Sequence, residues 1–385
     1  MLNLKPTILD AIGKTPLVRL NKVAPKGAAE IWVKCEYLNP SGSIKDRMAV
    51  YIIEQAEKAG LLKPGGVIVE NTSGNTGQGV AMAAAVKGYR CVFTMPDKMS
   101  KEKQDSLRAY GAEVIITPTD VPGDSPEHYV NVAKRIAAET PGAFYVDQYH
   151  SPWNIEAHYH STGREFFEDT DGGKFDAFVG GTGTGGTVSG IGRWFKQHAP
   201  HVKIIGADPL GSVHYHLFHT GTLPTAYVYM VEGIGEDIEC RAMDFSVVDD
   251  MRQVNDRDSF LMARRLVREE GLFCGGSSGS NVHVAVEIAK ELGPGKVVVT
   301  VLPDHGNRYV SKFLNDAWMR EKGFNADRPD LGLVEDLLKA RPSKPLTAPA
   351  ETSLRDIIAL MRAHGVSQIP LIERGKLNAI VHESD

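Results

Sequence analysis

The chain has 385 residues, 42% of them hydrophobic, enough to bury a large core and to form two or three folding units. A net charge of -5 with a pI near 6.2 provides no basic face, which argues against nucleic acid as the main partner. No apolar run approaches the ~18 residues of a membrane span, the first residues carry Lys5, Asp10 and Lys14 in place of a secretory core, and the four cysteines are widely spaced, so a cytoplasmic location is expected.

Along the chain, apolar β-rich runs alternate with helical patterns. Strands are predicted at 31–34, 67–70, 91–95, 113–117, 175–179, 202–207 and 296–302, and helical spacing falls on 46–59, 77–87, 101–110 and 281–292. This alternation predicts an α/β fold with mostly parallel sheets. Strands that are apolar throughout call for helices on both faces. Residues 1–320 read as a catalytic domain. The charged, proline-bearing stretch 321–345 reads as a linker, with a helical candidate at 333–339. Residues 346–385 form a small β-α-β-β pattern, with an amphipathic helix at 354–364 and strands at 368–371 and 379–381.

Four segments carry residue types suited to chemistry. Pro40-Ser41-Gly42-Ser43-Ile44-Lys45-Asp46-Arg47 opens a predicted helix. A lysine ammonium in water, with a pKa of about 10.4, is a poor nucleophile. Desolvated, or joined to an aldehyde as an imine, it becomes an acid/base catalyst; taken alone, the segment favours an ordinary first-turn lysine. Asn71-Thr72-Ser73-Gly74-Asn75-Thr76-Gly77 follows the strand at 67–70. It offers hydroxyls, an amide and N–H groups at a helix N-terminus, either a seat for a carboxylate or a set of helix caps.

The third segment, Gly180-Gly181-Thr182-Gly183-Thr184-Gly185-Gly186-Thr187, follows the strand at 175–179. So many glycines carry an entropic cost that a bound phosphate would explain. The run also satisfies G-x-G-x-x-G through Gly181, Gly183 and Gly186, with Asp208 after a later strand, which keeps a dinucleotide site open. The fourth, Gly275-Gly276-Ser277-Ser278-Gly279, fits the nucleophile-elbow pattern, although the acid and base that follow, Asp304 and His305, are adjacent. His214, His216 and His219 form H-x-H-x-x-H, but no cysteine or acidic cluster completes a metal set, and no metal is expected.

In their order along the chain, these segments resemble the cysteine synthase and cystathionine β-synthase family, the β-family of pyridoxal-phosphate enzymes, from Ile12-Gly13-Lys14-Thr15-Pro16-Leu17 to Gly323. The resemblance implies a fold-type II architecture: two α/β subdomains with the cofactor, pyridoxal 5'-phosphate, between them, the smaller and more mobile one near 50–150. It implies that Lys45 holds the cofactor as an imine and that Asn75 meets the pyridoxal 3′-oxygen. Gly183, Thr184, Gly185, Gly186 and Thr187 would hold the phosphate, and Ser277 would face the pyridine nitrogen. Thr72, Ser73 and Thr76, with Gln148 of Asp147-Gln148-Tyr149, would hold the substrate carboxylate. A neutral serine does not keep the pyridine nitrogen protonated, which favours prompt loss of a β-substituent over a long-lived carbanion. The implied route passes through an aminoacrylate to which a thiol adds.

Within the family, Val231-Glu232-Gly233-Ile234-Gly235-Glu236-Asp237 is similar to the branch that condenses L-serine with L-homocysteine to cystathionine. Tyr149 and the segment Lys312-Phe313-Leu314-Asn315-Asp316-Ala317-Trp318-Met319 are similar to it too. Gly233 and Gly235 are expected at the substrate, and Glu232 is expected to assist serine's hydroxyl, which leaves poorly without acid. Hydrogen sulfide from cysteine is an implied side reaction. O-acetylserine sulfhydrylase is the alternative activity, and a catalytically silent ligand sensor is the alternative class. Residues 345–385 resemble the first motif of a Bateman regulatory module, which needs two motifs for a ligand cleft, so a truncated module is expected. No haem is expected, because only a short stretch precedes the common region. The implied partners are amino-acid substrates and a second copy in a homodimer.

Overall fold

β-Branched runs pair as parallel strands, and the helices between them are the crossovers that parallel pairing requires. A computed structural model describes residues 4–72, 74–97, 99, 101–122, 124–324 and 345–383. It divides into the units Met1–Ala326 and Asp327–Asp385.

The strands of the first unit are β1 (Leu17–Arg19), β2 (Glu30–Lys34), β3 (Val67–Asn71), β4 (Arg90–Pro96), β5 (Glu113–Thr117), β6 (Ala143–Tyr145), β7 (Ala177–Gly181), β8 (Lys203–Pro209), β9 (Asp250–Val254) and β10 (Val297–Val301). Six make a larger sheet in the order β1-β2-β10-β7-β8-β9, parallel except at the β1–β2 edge. The other four make a smaller, wholly parallel sheet in the order β5-β4-β3-β6. Each sheet, with its covering helices, forms one lobe.

The helices are α1 (Lys45–Lys58), α2 (Asn75–Lys87), α3 (Lys101–Ala109), α4 (Tyr129–Glu139), α5 (Pro152–His158), α6 (Arg164–Asp169), α7 (Gly186–His198), α8 (His214–Thr220), α9 (Asp256–Glu270), α10 (Gly276–Leu292) and α11 (Asp316–Glu321). Ile52 and Ile53 of α1 and Val80 and Ala84 of α2 share a core with Ile68 of β3 and Phe93 of β4. In the larger lobe, Val282, Ala285 and Ala289 of α10 pack on Ile31, Val33, Val179 and Val298. Each fully buried valine or isoleucine contributes about 1.5–3 kcal/mol. Cys35, Cys91, Cys240 and Cys274 are free and buried.

Three differences from the sequence expectation have physical causes. The strand expected at 175–179 runs from Ala177 to Gly181, because its parallel pairing with β8 and β10 begins at Ala177. This brings Gly180 and Gly181 into the strand and starts the glycine loop later. The helix expected from 281 begins at Gly276, so the serine segment forms its first turn. Strands β1, β6 and β9 escaped the sequence reading because they are short or polar edge strands of three to five residues.

The second unit has the expected β-α-β-β order: β11 (Ala348–Pro349), the helix Leu354–His364, β12 (Gln368–Glu373) and β13 (Lys376–His382). β11 is parallel to β12, β12 and β13 form an antiparallel hairpin, and Ala348, Ile357, Met361 and Ile369 make a small core. The helical candidate at 333–339 lies outside the described residues. Among the described residues no helix is long and apolar enough to cross a membrane.

Candidate active site

Lys45 is the first residue of α1, and the turn before it is tied down on both sides. Ser41 N donates to Asp46 Oδ2 at 2.7 Å, and Ile44 N donates to the Pro303 carbonyl at 2.8 Å. Two residues on, the Arg47 guanidinium binds Glu36 and Glu165 at 2.7–2.8 Å, fixing the helix start against the larger lobe. The Lys45 side chain reaches a cavity of about 350 Å³, within the range that holds small ligands. Burial pushes its ammonium below the usual lysine range, although Glu236 and Asp304 pull the other way. A lysine so shifted is suited to nucleophilic and proton-transfer chemistry.

The asparagine loop joins β3 to α2. Thr72 Oγ1 accepts from Gly77 N at 3.0 Å, folding the loop over the helix N-terminus. Thr76 Oγ1 donates to Gln148 Oε1 at 2.7 Å, and Gln148 Nε2 donates to the buried Glu70 at 3.2 Å. Thr72, Asn75, Thr76, Gln148 and Tyr149 line the same cavity as Lys45. Ser73 lies outside the described residues.

The glycine loop ends at Gly185, which caps α7 at a φ of +91°, where a Cβ would lie 2.4 Å from the Met243 backbone. Only glycine fits there. Helical bonding of α7 starts with Ser189 N on the Gly185 carbonyl, and no backbone bond among the described residues takes the N–H groups of Gly183, Thr184 or Gly185. Free N–H groups at a helix N-terminus beside a lysine suit a phosphate. Gly183, Thr184, Gly185 and Thr187 line a smaller pocket that also touches Lys45, and Gly186 follows at the first turn of α7. Ser277 is buried in the first turn of α10, and its Oγ lies 3.9 Å from where a Gly233 Cβ would sit. The donor set therefore fits pyridoxal phosphate: an amine for its aldehyde, free N–H groups for its phosphate and a neutral hydroxyl near Gly233.

Loop 231–236 forms the opposite wall. Gly235, with a φ of +76°, donates its N–H to the Thr182 carbonyl at 2.7 Å, and a Cβ there would meet Pro209 at 2.4 Å. Glu232, expected to donate a proton, has a different setting. It is bound by Lys103 of α3 in the smaller lobe and by Lys312 in the larger one. Burial pushes its carboxyl up, but the two ammonium groups outweigh that and hold it below the usual carboxylate range. Through these two ion pairs it bridges the lobes.

The other readings of these segments lose their residues to structure. Asp208, the acidic partner of a dinucleotide site, is buried and accepts from Thr182 Oγ1 at 2.8 Å and Tyr215 N at 2.9 Å. For the nucleophile elbow, Asp304 accepts from Asn75 and Tyr309, while the His305 ring packs on Tyr37 and Phe273. His214 is buried against Phe245, and burial pushes its pKa down to about 4. Among the described residues no cluster of His, Cys, Asp or Glu could hold a metal.

Several cavity residues were not singled out from the sequence: Glu236, Tyr129, Tyr229, Lys103 and Arg308. Glu236 carried the one available signal, as a second acidic residue in a glycine-bearing loop.

Residues 8–304 match the family described as pyridoxal-phosphate dependent enzyme, and residues 334–385 match the CBS domain. The chain is 46% identical to a cystathionine beta-synthase of Mus musculus over 392 residues, covering 98% of this chain and 68% of that protein. It is 47% identical to one of Apis mellifera over 322 residues, 83% of this chain and 63% of that protein. The corresponding figures for Saccharomyces cerevisiae are 39% over 411 residues, 98% and 80%.

Proposed function

The chain belongs to the pyridoxal-phosphate dependent enzymes, and we propose that it is a lyase that condenses L-serine with L-homocysteine to cystathionine. The observation that carries the reading is Lys45, its ammonium depressed, in a cavity walled by the asparagine loop on one side and the glycine loop on the other. Bound pyridoxal phosphate supplies an electron sink conjugated to the substrate's Cα, which makes the Cα proton removable.

We assign the following roles to this chain's residues. Lys45 carries the cofactor and moves the Cα proton. Asn75 donates to the pyridoxal 3′-oxygen, Gly183, Thr184, Gly185, Gly186 and Thr187 hold the phosphate, and Ser277 meets the pyridine nitrogen. Thr72, Ser73, Thr76 and Gln148 bind the substrate carboxylate, while Tyr149, Gly233 and Gly235 shape the space around its β-carbon. The smaller lobe closes over the bound amino acid and excludes water. Release of hydrogen sulfide from cysteine uses the same residues. The reading extends to transsulfuration and cysteine biosynthesis in the cytoplasm; four buried free cysteines suit a reducing compartment. Homodimer assembly is proposed from the family resemblance, and sedimentation tests it.

The test is the visible absorption of the chain loaded with pyridoxal phosphate, followed by product analysis with serine and homocysteine. Cystathionine formation, with Lys45→Ala losing both absorption and product, supports the reading. Turnover of O-acetylserine with sulfide and none with homocysteine would move the chain to the sulfhydrylases. Retention of the absorption band by Lys45→Ala would remove the assignment of Lys45.

A further inference from the structure

Loop 231–236 brings two glutamates to one cavity in opposite conditions. Glu232 is neutralised by two lysines. Glu236 has its backbone pinned on both sides: its N–H donates to Ser212 Oγ at 3.0 Å, and its carbonyl accepts from Val213 N at 3.0 Å. Its carboxyl makes no hydrogen bond or ion pair among the described residues, and it lines the cavity that Lys45 lines. Its Oε1 lies 3.9 Å from where a Cβ on Gly183 would sit, so the group stands beside the glycine loop.

We propose that Glu236 is the acid that protonates the departing β-hydroxyl of serine and the base that then takes the proton of the incoming thiol. The proposal rests on the serine-plus-homocysteine reading above. The proton count closes without any further reactant. Lys45 takes the Cα proton, and the electron pair of that C–H bond becomes the Cα–Cβ π bond as the Cβ–O bond breaks. Glu236 gives its proton to the leaving oxygen, which departs as water. The thiol then gives its proton to the Glu236 carboxylate as sulfur bonds to Cβ, and Lys45 returns its proton to Cα. Both groups end as they began.

The surroundings favour this cycle. Lys45, Asp237 and Asp208 are the charged groups that face Glu236, with Tyr129, Tyr149, Tyr229 and Cys240 around it. Burial and Asp237 push its carboxyl up to about 8, against the pull of Lys45. A group titrating near the working pH can both donate and accept.

The discriminating experiment compares Glu236→Gln with wild type, both as full chains loaded with cofactor, mixed rapidly with donor alone. Acetate leaves O-acetylserine without acid help, whereas hydroxide does not leave serine. The variant is expected to lower the rate of the absorbance change with serine about a hundredfold more than with O-acetylserine. Glu232→Gln is expected to slow both donors alike. A second readout does not depend on turnover. The infrared difference between wild type and Glu236→Gln should show a protonated carboxyl stretch that fades as pH rises through about 8. Equal slowing with both donors, or a Glu236 already ionised at neutral pH, overturns the proposal. A wild type that uses O-acetylserine but not serine overturns it together with the reading on which it rests, whereas serine turnover with an unchanged variant ratio overturns it alone.

Discussion

The side-chain amide of Asn75 donates to Asp304 Oδ2 at 2.8 Å, joining the start of α2 in the smaller lobe to the loop after β10 in the larger one. Tyr309 donates to the same oxygen at 2.6 Å. One buried carboxyl thus orients the amide assigned to the pyridoxal oxygen. Asp304→Ala leaves the buried Tyr309 hydroxyl unpaired, at a cost of about 1–3 kcal/mol, and frees the half-buried Asn75 amide. The urea midpoint should fall, and cofactor affinity should fall about tenfold, as about 1.4 kcal/mol of lost amide orientation implies. Urea unfolding and equilibrium titration with pyridoxal phosphate measure the two effects.

Gly185→Ala should weaken cofactor binding and leave most of the fold intact. The new methyl would sit 2.4 Å from the Met243 backbone in a left-handed conformation, so the loop has to move where its N–H groups are aimed. Strain of this kind costs about 1–3 kcal/mol, which is about tenfold to a hundredfold in affinity if it falls on the bound state. Far-UV circular dichroism that stays native while the visible absorption needs about tenfold to a hundredfold more pyridoxal phosphate to appear is the expected pair of results.

Lys103→Met removes the smaller-lobe partner of Glu232. Such partly exposed pairs contribute about 0.2–1 kcal/mol, so the apparent KM for serine should rise by a factor of about 1.4 to 5. Raising ionic strength should do the same to wild type and less to the variant. A KM that is unchanged in the variant and insensitive to salt in wild type would remove the bridge from the closing motion.

Acid lability should trace to Glu165. Burial pushes its carboxyl up, but Arg47 and Lys34 more than offset this and hold it near 2. Because the folded value lies below the unfolded one, the stabilisation is complete above the unfolded pKa of about 4.3 and is lost as pH falls through about 2. The magnitude is about 3 kcal/mol by linkage. Glu165→Gln should lower stability at neutral pH and flatten the curve in that window. Denaturant midpoints measured between neutral and acid pH decide it.

The sequence made the site's scaffold legible, because its parts are local. Lys45 opens a helix, the threonine and asparagine loop follows a strand, and the glycines crowd between a strand and a helix. Each is written in a few consecutive residues. The state of the two glutamates was not legible. The partners of Glu232 lie 129 residues before it and 80 after it, and nothing around position 232 encodes their approach. Glu236 differs from Glu232 by what fails to reach it. The true start of β7 was likewise hidden, since Phe175 reads as strand until its neighbours set the register.

The burial of Cys35, Cys91, Cys240 and Cys274 has a consequence for a protein that works among thiols. Burial pushes all four sulfhydryls up, Cys91 and Cys274 to about 12. Disulfide exchange needs an accessible thiolate, and here none is presented. Homocystine and cystine, which oxidise from the very metabolites the enzyme handles, find no place on the folded chain to attach. The catalyst can stand in its own substrates without being capped by them.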